Sequence, residues 1–238
     1  MTDGMEIVLV DDAAPVAELV AERLARDLRC HVTVFQEVRA LIAARPPHDG
    51  WAVAIIDLSF QQSELGGIDA LLHLWRTQPD TKLVLFTQGD EYVKDQLRDA
   101  WDAIPLASVV SKSMPMADFV DVIRRVARDG EAPVDPVIRP LLPTERSPWR
   151  SITGYERLVQ HAGHAKLWRA LLDTDDEPSY RELAVCSGLS VNTVRNYRDQ
   201  LLGELRLHGL DNPTMRQMQT FARRCRPFLQ PLLDRRSV

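Results

Sequence analysis

The sequence predicts two domains: an α/β domain built as a (βα)5 doubly wound parallel sheet, followed by an all-α domain containing a helix-turn-helix. Three observations carry that reading. The chain has 238 residues, more than one domain of roughly 100–200 residues holds. Its first half alternates short, evenly apolar runs with amphipathic helical stretches, the mark of a parallel sheet covered on both faces. Its last third shows helical periodicity only. Between them, residues 130–150, GEAPVDPVIRPLLPTERSPWR, carry five prolines, which forbid a continuous helix and favour an extended linker. The expected division is therefore 1–129, a Pro-rich linker over 130–150, and a helical domain over 151–238.

Taken in order, the runs at 7–10, 32–35, 53–56, 83–86 and 108–110 read as strands, each too uniformly apolar to have one wet face. Helical patterns lie between and after them, near 15–29, 37–44, 67–77, 91–101 and 115–129. Beyond the linker, helices are expected at about 154–162, 164–173, 179–186, 191–207 and 213–224. The tail after Pro227 reads as an extra helix or a frayed end.

With 45% hydrophobic and 26% charged residues, the chain has enough apolar material for packed cores. No apolar run approaches the ~18 residues that cross a bilayer, and MTDGMEIVLVDD has neither the basic start nor the apolar stretch of a signal peptide. A cytoplasmic protein with no membrane partner is expected. Cys30, Cys186 and Cys225 are far apart and outside any CxxC spacing, so they read as ordinary thiols rather than a disulfide framework or a zinc site. The net charge of -5 is unevenly spread: residues 1–130 hold 13 Lys and Arg against 21 Asp and Glu, whereas residues 151–238 hold 13 against 10. The C-terminal part is the one suited to approach a phosphate backbone.

In a doubly wound sheet, ligands bind outside the carboxyl ends of the strands. Asp11 and Asp12 follow the first strand, Asp57 the third, Thr87 the fourth and Lys112 the fifth. Singly, such an Asp is more often a helix cap, and such a Lys a solvated charge. Together at four strand ends they form one site. Three carboxylates in one place repel one another unless a cation shares the site, and hard oxygen ligands that leave room for water and a phosphate oxygen suit Mg2+. Lys112 and the Thr87 hydroxyl could stabilise a phosphoryl group from the other side.

On IVLVDD, VAIIDLS, LVLFTQG and VVSKS, residues 5–129 resemble the receiver domains of two-component response regulators. The resemblance implies that Asp57 is the phosphoacceptor, charged by a sensor histidine kinase. It also implies that Asp12, Asp57 and the backbone carbonyl of Ser59 ligate Mg2+, with Asp11 acting through a metal-bound water. Thr87 would be the hydroxyl that moves toward the phosphate and Lys112 the ammonium that pairs with it. Four features depart from that family's pattern. The loop LSFQQSELGG lacks the usual proline and reaches its first glycine at Gly66, Gln88 replaces a small residue after Thr87, Val109 stands where an aromatic is common, and Ser113 replaces a proline after Lys112.

In the helical part, SYRELAVCSGLSVNTVRNYRDQLLGELRL, residues 179–207, holds two short helices around the turn Ser187-Gly188-Leu189, with Ser190 placed to cap the second. Leu183, Ala184, Leu189, Val194, Leu201 and Leu205 form the packing stripe. On the opposite face Asn192, Arg195, Asn196 and Asp199 share one stripe suited to a major groove, since Arg and Asn make bidentate contacts with guanine and adenine. Ser190, Thr193, Tyr197 and Arg198 could reach phosphates. The competing reading of this face is a solvated surface in a protein-binding bundle.

Over about 164–222 the chain is similar to LuxR/NarL-type DNA-binding domains, with LWRALL, YRELAVCSGLS, VNTVRNYRDQLLGELRL and LDNPTMRQMQTFA as their four helices. Tyr197 stands where His is usual, and Asp199 where a basic residue is frequent. The resemblance implies a homodimer that grips double-stranded DNA. The whole reads as a response regulator phosphorylated on Asp57 and regulating transcription. A phosphorylation-independent DNA-binding regulator, or a receiver with a protein-binding helical output, are the alternatives. No nucleophile–base pair, phosphate-cradling glycine loop or zinc ligand set points to an independent enzyme.

Overall fold

The computed structural model describes residues 4–60, 63–90 and 93–236, and the chain divides into two compact units, Met1–Arg146 and Ser147–Val238. The first unit runs β1 (Glu6–Val10), α1 (Ala14–Leu28), β2 (His31–Phe35), α2 (Val38–Ala43), β3 (Val53–Asp57), α3 (Gly67–Thr77), β4 (Lys82–Thr87), α4 (Lys94–Ala103), β5 (Leu106–Ser111) and α5 (Met116–Asp129). The strands form one sheet in the order β2-β1-β3-β4-β5, and every pairing is parallel. All five residues of β3 are buried, because helices cover both faces of the sheet. On one face Ile7, Leu9, Val53, Ile55 and Phe86 pack against Val20 and Leu24 of α1 and Phe119 and Ile123 of α5. The rings of Phe86 and Phe119 stand 4.9 Å apart. The expected (βα)5 order is present throughout. Residues 91 and 92, at the start of the helix expected over 91–101, lie outside the described residues.

The proline-rich stretch contains no long helix, as its composition requires, but through Arg146 it lies within the first unit. Strand β5 is a sheet edge, and its outward backbone groups need partners. Ala132 donates its N–H to the carbonyl of Ala107 (2.9 Å) and Asp135 to that of Val109 (2.9 Å), while Ser108 Oγ donates to the carbonyl of Pro133 (3.0 Å). Proline has no N–H to offer, and the pairing uses the non-proline residues Ala132 and Asp135. Ile138 is fully buried and Leu142 nearly so. Residues 131–142 thus form a strap along the edge of β5.

The second unit is helical: α6 (Ile152–Glu156), α7 (Ala162–Asp173), α8 (Tyr180–Ser187), α9 (Val191–Leu207), α10 (Met215–Arg224) and α11 (Arg226–Arg235). Helix α6 is earlier and shorter than the expected 154–162. The carbonyl of Leu158 accepts instead from the indole N–H of the buried Trp168 (2.7 Å), and His161 leaves the helical path to cap α7 through its Nδ1. Beyond Pro227 the chain forms a helix. Pro227 sits in its first turn, where a missing N–H is harmless. Pro231 lies inside it, tolerated because Phe228, Leu229, Leu232 and Leu233 are buried. Tyr155 stacks on Phe228 at 4.6 Å with the rings 5° from parallel, which fastens α11 to α6.

His208 lies in the same core, 4% exposed, its ring 4.9 Å from Tyr155 and 5.5 Å from Phe221. Burial, reinforced by Arg150 and Arg224, pushes its pKa down to about 4. The unfolded chain protonates this residue near ~6.5, so between about pH 6.5 and 4 only the unfolded state binds the proton, and stability falls as pH drops through that window. Calorimetric unfolding of the helical unit should show a lower Tm at pH 5 than at pH 7, and His208→Gln should remove part of that fall. An identical pH slope in the variant would contradict the assignment.

Candidate functional site: an acidic pocket and an exposed helix face

Parallel pairing of β1 with β3 and of β4 with β5 brings the carboxyl ends of these strands to one edge. Asp11 and Asp57 are buried there and Asp12 is exposed at the rim, with ligating oxygens of the three all within 4.8 Å of one another. Lys112 Nζ reaches between two of them, 2.7 Å from Asp11 Oδ2 and 2.9 Å from Asp57 Oδ2. Asp11 Oδ1 accepts from the N–H of Ala13 (2.9 Å), and Asp57 Oδ1 from the N–H of Ser59 (3.3 Å). Thr87 is fully buried at the end of β4. Its carbonyl accepts from the backbone N–H of Lys112 (2.8 Å), and its Oγ1 from the N–H of Gly89 (3.3 Å).

Burial pushes the carboxyl of Asp57 up to about 6, against the opposing pull of the Lys112 ammonium. Burial also works to deprotonate Lys112, but its bonds to Asp11 and Asp57 outweigh this and hold it above its usual value. Three carboxylates facing one ammonium leave an excess of negative charge within this group. Its donors are all hard oxygens, two of them on buried side chains fixed by other bonds, and that set fits a small divalent cation.

Gly67 opens α3 directly over β3: a Cβ there would lie 2.0 Å from the carbonyl oxygen of Asp57 and 2.8 Å from Leu58 Cα. Only glycine lets the helix start that close to the acidic residue, and sequence reasoning had singled out its neighbour Gly66. Of the departing positions, Gln88 is exposed, Val109 is fully buried, and the Ser113 hydroxyl pairs with that of Ser111 (2.7 Å). Sequence reasoning missed Asp135, whose carboxylate accepts from the N–H of Ser111 (3.0 Å), the residue before Lys112. Its signal was available as an acidic residue set among Val134, Val137 and Ile138 in a stretch otherwise read as linker.

In the helical unit, Ser190 caps α9 by accepting from the N–H of Thr193 (3.1 Å), and the two hydroxyls are 2.8 Å apart. Asn192, Arg195, Asn196 and Asp199 are exposed, and the Arg195 guanidinium lies 5.3 Å from the centre of the Tyr180 ring. Two of the expected phosphate-reaching residues turn inward. Arg198 donates to the carbonyl of Pro213 (3.0 Å) and to Asn212 Oδ1 (2.7 Å), which clasps the loop between α9 and α10. Tyr197 packs against His161 and His164, with ring centres 5.1 and 5.3 Å away.

This architecture, a parallel (βα)5 domain with an acidic pocket at its sheet edge followed by a helix-turn-helix domain, is the fold of a response regulator. No protein-family model and no curated protein matches the sequence. Among solved structures, two RcsB dimers bound to two parallel DNAs superpose with a TM-score of 0.51 at 18% identity, covering 95% of this chain and 98% of theirs. A complex of the two-component response regulator RcsB with DNA gives 0.51 at 19% identity, covering 92% and 98%. At these identities the likeness is one of fold.

The pocket makes a direct test possible. Lys112→Met leaves two buried carboxylates without their shared ammonium, a change of a kind that destabilises by ~3–5 kcal/mol. Urea unfolding at pH 7 in chelator should show a loss approaching that size, and millimolar divalent cation should restore part of it. No loss in chelator would mean that the bridge does not hold the pocket together.

Proposed function

We propose that this chain is a phosphorylation-responsive regulator that binds double-stranded DNA. The observation that carries the reading is the placement of Asp57 beside Asp11 and Asp12, with Lys112 spanning Asp11 and Asp57 and Thr87 bonded to the backbone of Lys112. In the proposed reaction an Asp57 oxygen attacks phosphorus. The bond from phosphorus to the donor's nitrogen breaks, and an acyl phosphate forms on the carboxylate. A sensor histidine kinase is the donor that this chemistry implies. Mg2+, held by Asp12, Asp57 and the carbonyl of Ser59, with Asp11 acting through water, would neutralise the charge gathered there. Lys112 then pairs with the new phosphate, and the Thr87 hydroxyl turns from the Gly89 N–H to donate to it.

The output half of the proposal rests on the exposed Asn192, Arg195 and Asn196 of α9 and on the likeness in fold to DNA complexes of RcsB. Ser190 and Thr193 would position the helix on phosphates, joined less directly by Tyr197 and Arg198. A homodimer matches the two-fold symmetry of an inverted operator. Functionally the chain divides into a receiver, whose core over 1–129 keeps its strap through Arg146, and a DNA-binding domain over 151–238. A kinase and DNA as partners place it in the cytoplasm. Among the described residues no helix is long and apolar enough to cross a membrane.

With a small phosphodonor and Mg2+, the protein should form a hydroxylamine-sensitive acyl phosphate that Asp57→Asn abolishes, and labelling that persists in the variant would refute the site. On DNA selected with the full-length protein, Arg195→Ala should lose ~1–3 kcal/mol and relax preference at one base position. Affinity of wild type should fall with rising salt. Equal affinity with and without phosphorylation would instead favour a phosphorylation-independent regulator.

A further inference from the structure

The strap over residues 131–142 touches the acidic pocket's surroundings at two points. Asp135 is 4% exposed; its Oδ2 accepts from the N–H of Ser111 (3.0 Å) and its Oδ1 from that of Val137 (2.8 Å). It therefore fixes the end of β5 one residue before Lys112. Ile138, fully buried, lies on the loop after β4. A Cβ on Gly89 would be 2.3 Å from Ile138 Cδ1, and Gly89 has φ +72, so loop and strap are in close contact there and a side chain at position 89 would strain the loop and displace the tip of Ile138. Gly89 is the residue whose N–H Thr87 Oγ1 now accepts. The far end of the strap is tied to α4: Arg98 donates to the carbonyl of Leu141 (3.0 Å). Just beyond it Arg146 donates to the carbonyl of Ile104 (3.1 Å) and lies 4.5 Å from the Trp101 ring centre.

We infer that this strap is the element that senses occupancy of the pocket, an inference that rests on the phosphoryl reading above. When the Thr87 hydroxyl turns to a phosphoryl group on Asp57, the Gly89 N–H loses its acceptor and the loop after β4 rearranges. Ile138, the strap residue whose buried side chain contacts that loop, must move with it. Lys112 simultaneously redistributes between Asp11, Asp57 and the phosphate, which shifts the β5 end that Asp135 holds. Both contacts loosen the same segment, and that segment runs directly into the chain leading to Ser147. In this protein, whose position 109 is a buried Val rather than an aromatic, the strap supplies the relay. By linkage, whatever occupancy does to the strap, loosening the strap does to occupancy.

Hydrogen exchange on the full-length protein tests this, with beryllofluoride and Mg2+ as the phosphoryl mimic. Amides of 131–142 should exchange about 10-fold faster when the mimic is bound. Ile138→Ala should bind it about 5-fold more tightly, and the exposed neighbour control Val137→Ala should bind like wild type. If peptides over 106–114 respond to the mimic while the strap exchanges unchanged and Ile138→Ala binds like wild type, the strap is not the relay and the proposal is overturned. If neither 106–114 nor the strap responds, the phosphoryl reading itself fails and takes the proposal with it.

Discussion

The ammonium of Lys112 lodged between Asp11 and Asp57 is the constraint around which the α/β unit is arranged. Two carboxylates taken out of water beside each other are strongly unfavourable unless a positive charge is held at hydrogen-bond distance from both. Holding it requires the ends of β1, β3 and β5 to stay in fixed register, which the evenly apolar strands and the helices on both faces enforce. It also requires β5 to keep its end position although it is the edge of the sheet. The bond from Lys112 to the Thr87 carbonyl secures it on one side and Asp135 on the other. The pocket's chemistry and the packing of its sheet are thus one problem, solved by the same backbone.

Much of this was legible in the residue order. Strands β1, β3 and β4 are legible because both of their faces are buried, so the local composition alone reveals them; β2, a half-covered edge strand, is marked instead by its β-branched residues. The apolar run at 108–110 is two residues shorter than β5 at its start and one at its end, because Leu106, Ala107 and Ser111 are small, polar or half-buried and owe their extended conformation to pairing with β4 and the strap. Asp11, Asp12, Asp57, Thr87 and Lys112 could be found because a parallel sheet puts strand ends together whatever the loops do. The need for Gly67 rather than Gly66 could not, since it arises from the distance between a helix start and a carbonyl oxygen in another element.

Non-local contacts account for the other differences. A helical wheel places Arg198 near the exposed stripe of α9, yet its partners Asn212 and Pro213 lie in the next loop, and three donors of one guanidinium find acceptors there that no local pattern announces. Helix α6 does not continue to residue 162: just past its end the carbonyl of Leu158 accepts from the indole of Trp168, ten residues on, rather than from a following helical turn. Five prolines forbid a continuous helix over 130–150, where only two single 3-10 turns form, but proline content reports only the backbone's conformation and not whether an extended segment packs. Val134, Ile138, Leu141 and Leu142 were the clue that this one does. Asn192, Arg195 and Asn196, by contrast, needed only the period of the helix to be placed correctly.

The covering of β5 by its own downstream chain bears on where this protein can be divided. A fragment ending at residue 129, the natural cut from helix boundaries, would strip the partners from Ala107, Val109 and Ser111 and uncover the apolar surface beneath Ile138. Such a fragment would present a bare strand edge beside an apolar patch, a template for strand-to-strand pairing between copies. Self-association measured on it would report the cut and not the assembly of the intact molecule. The smallest faithful version of the α/β unit is the one that keeps its chain through Arg146.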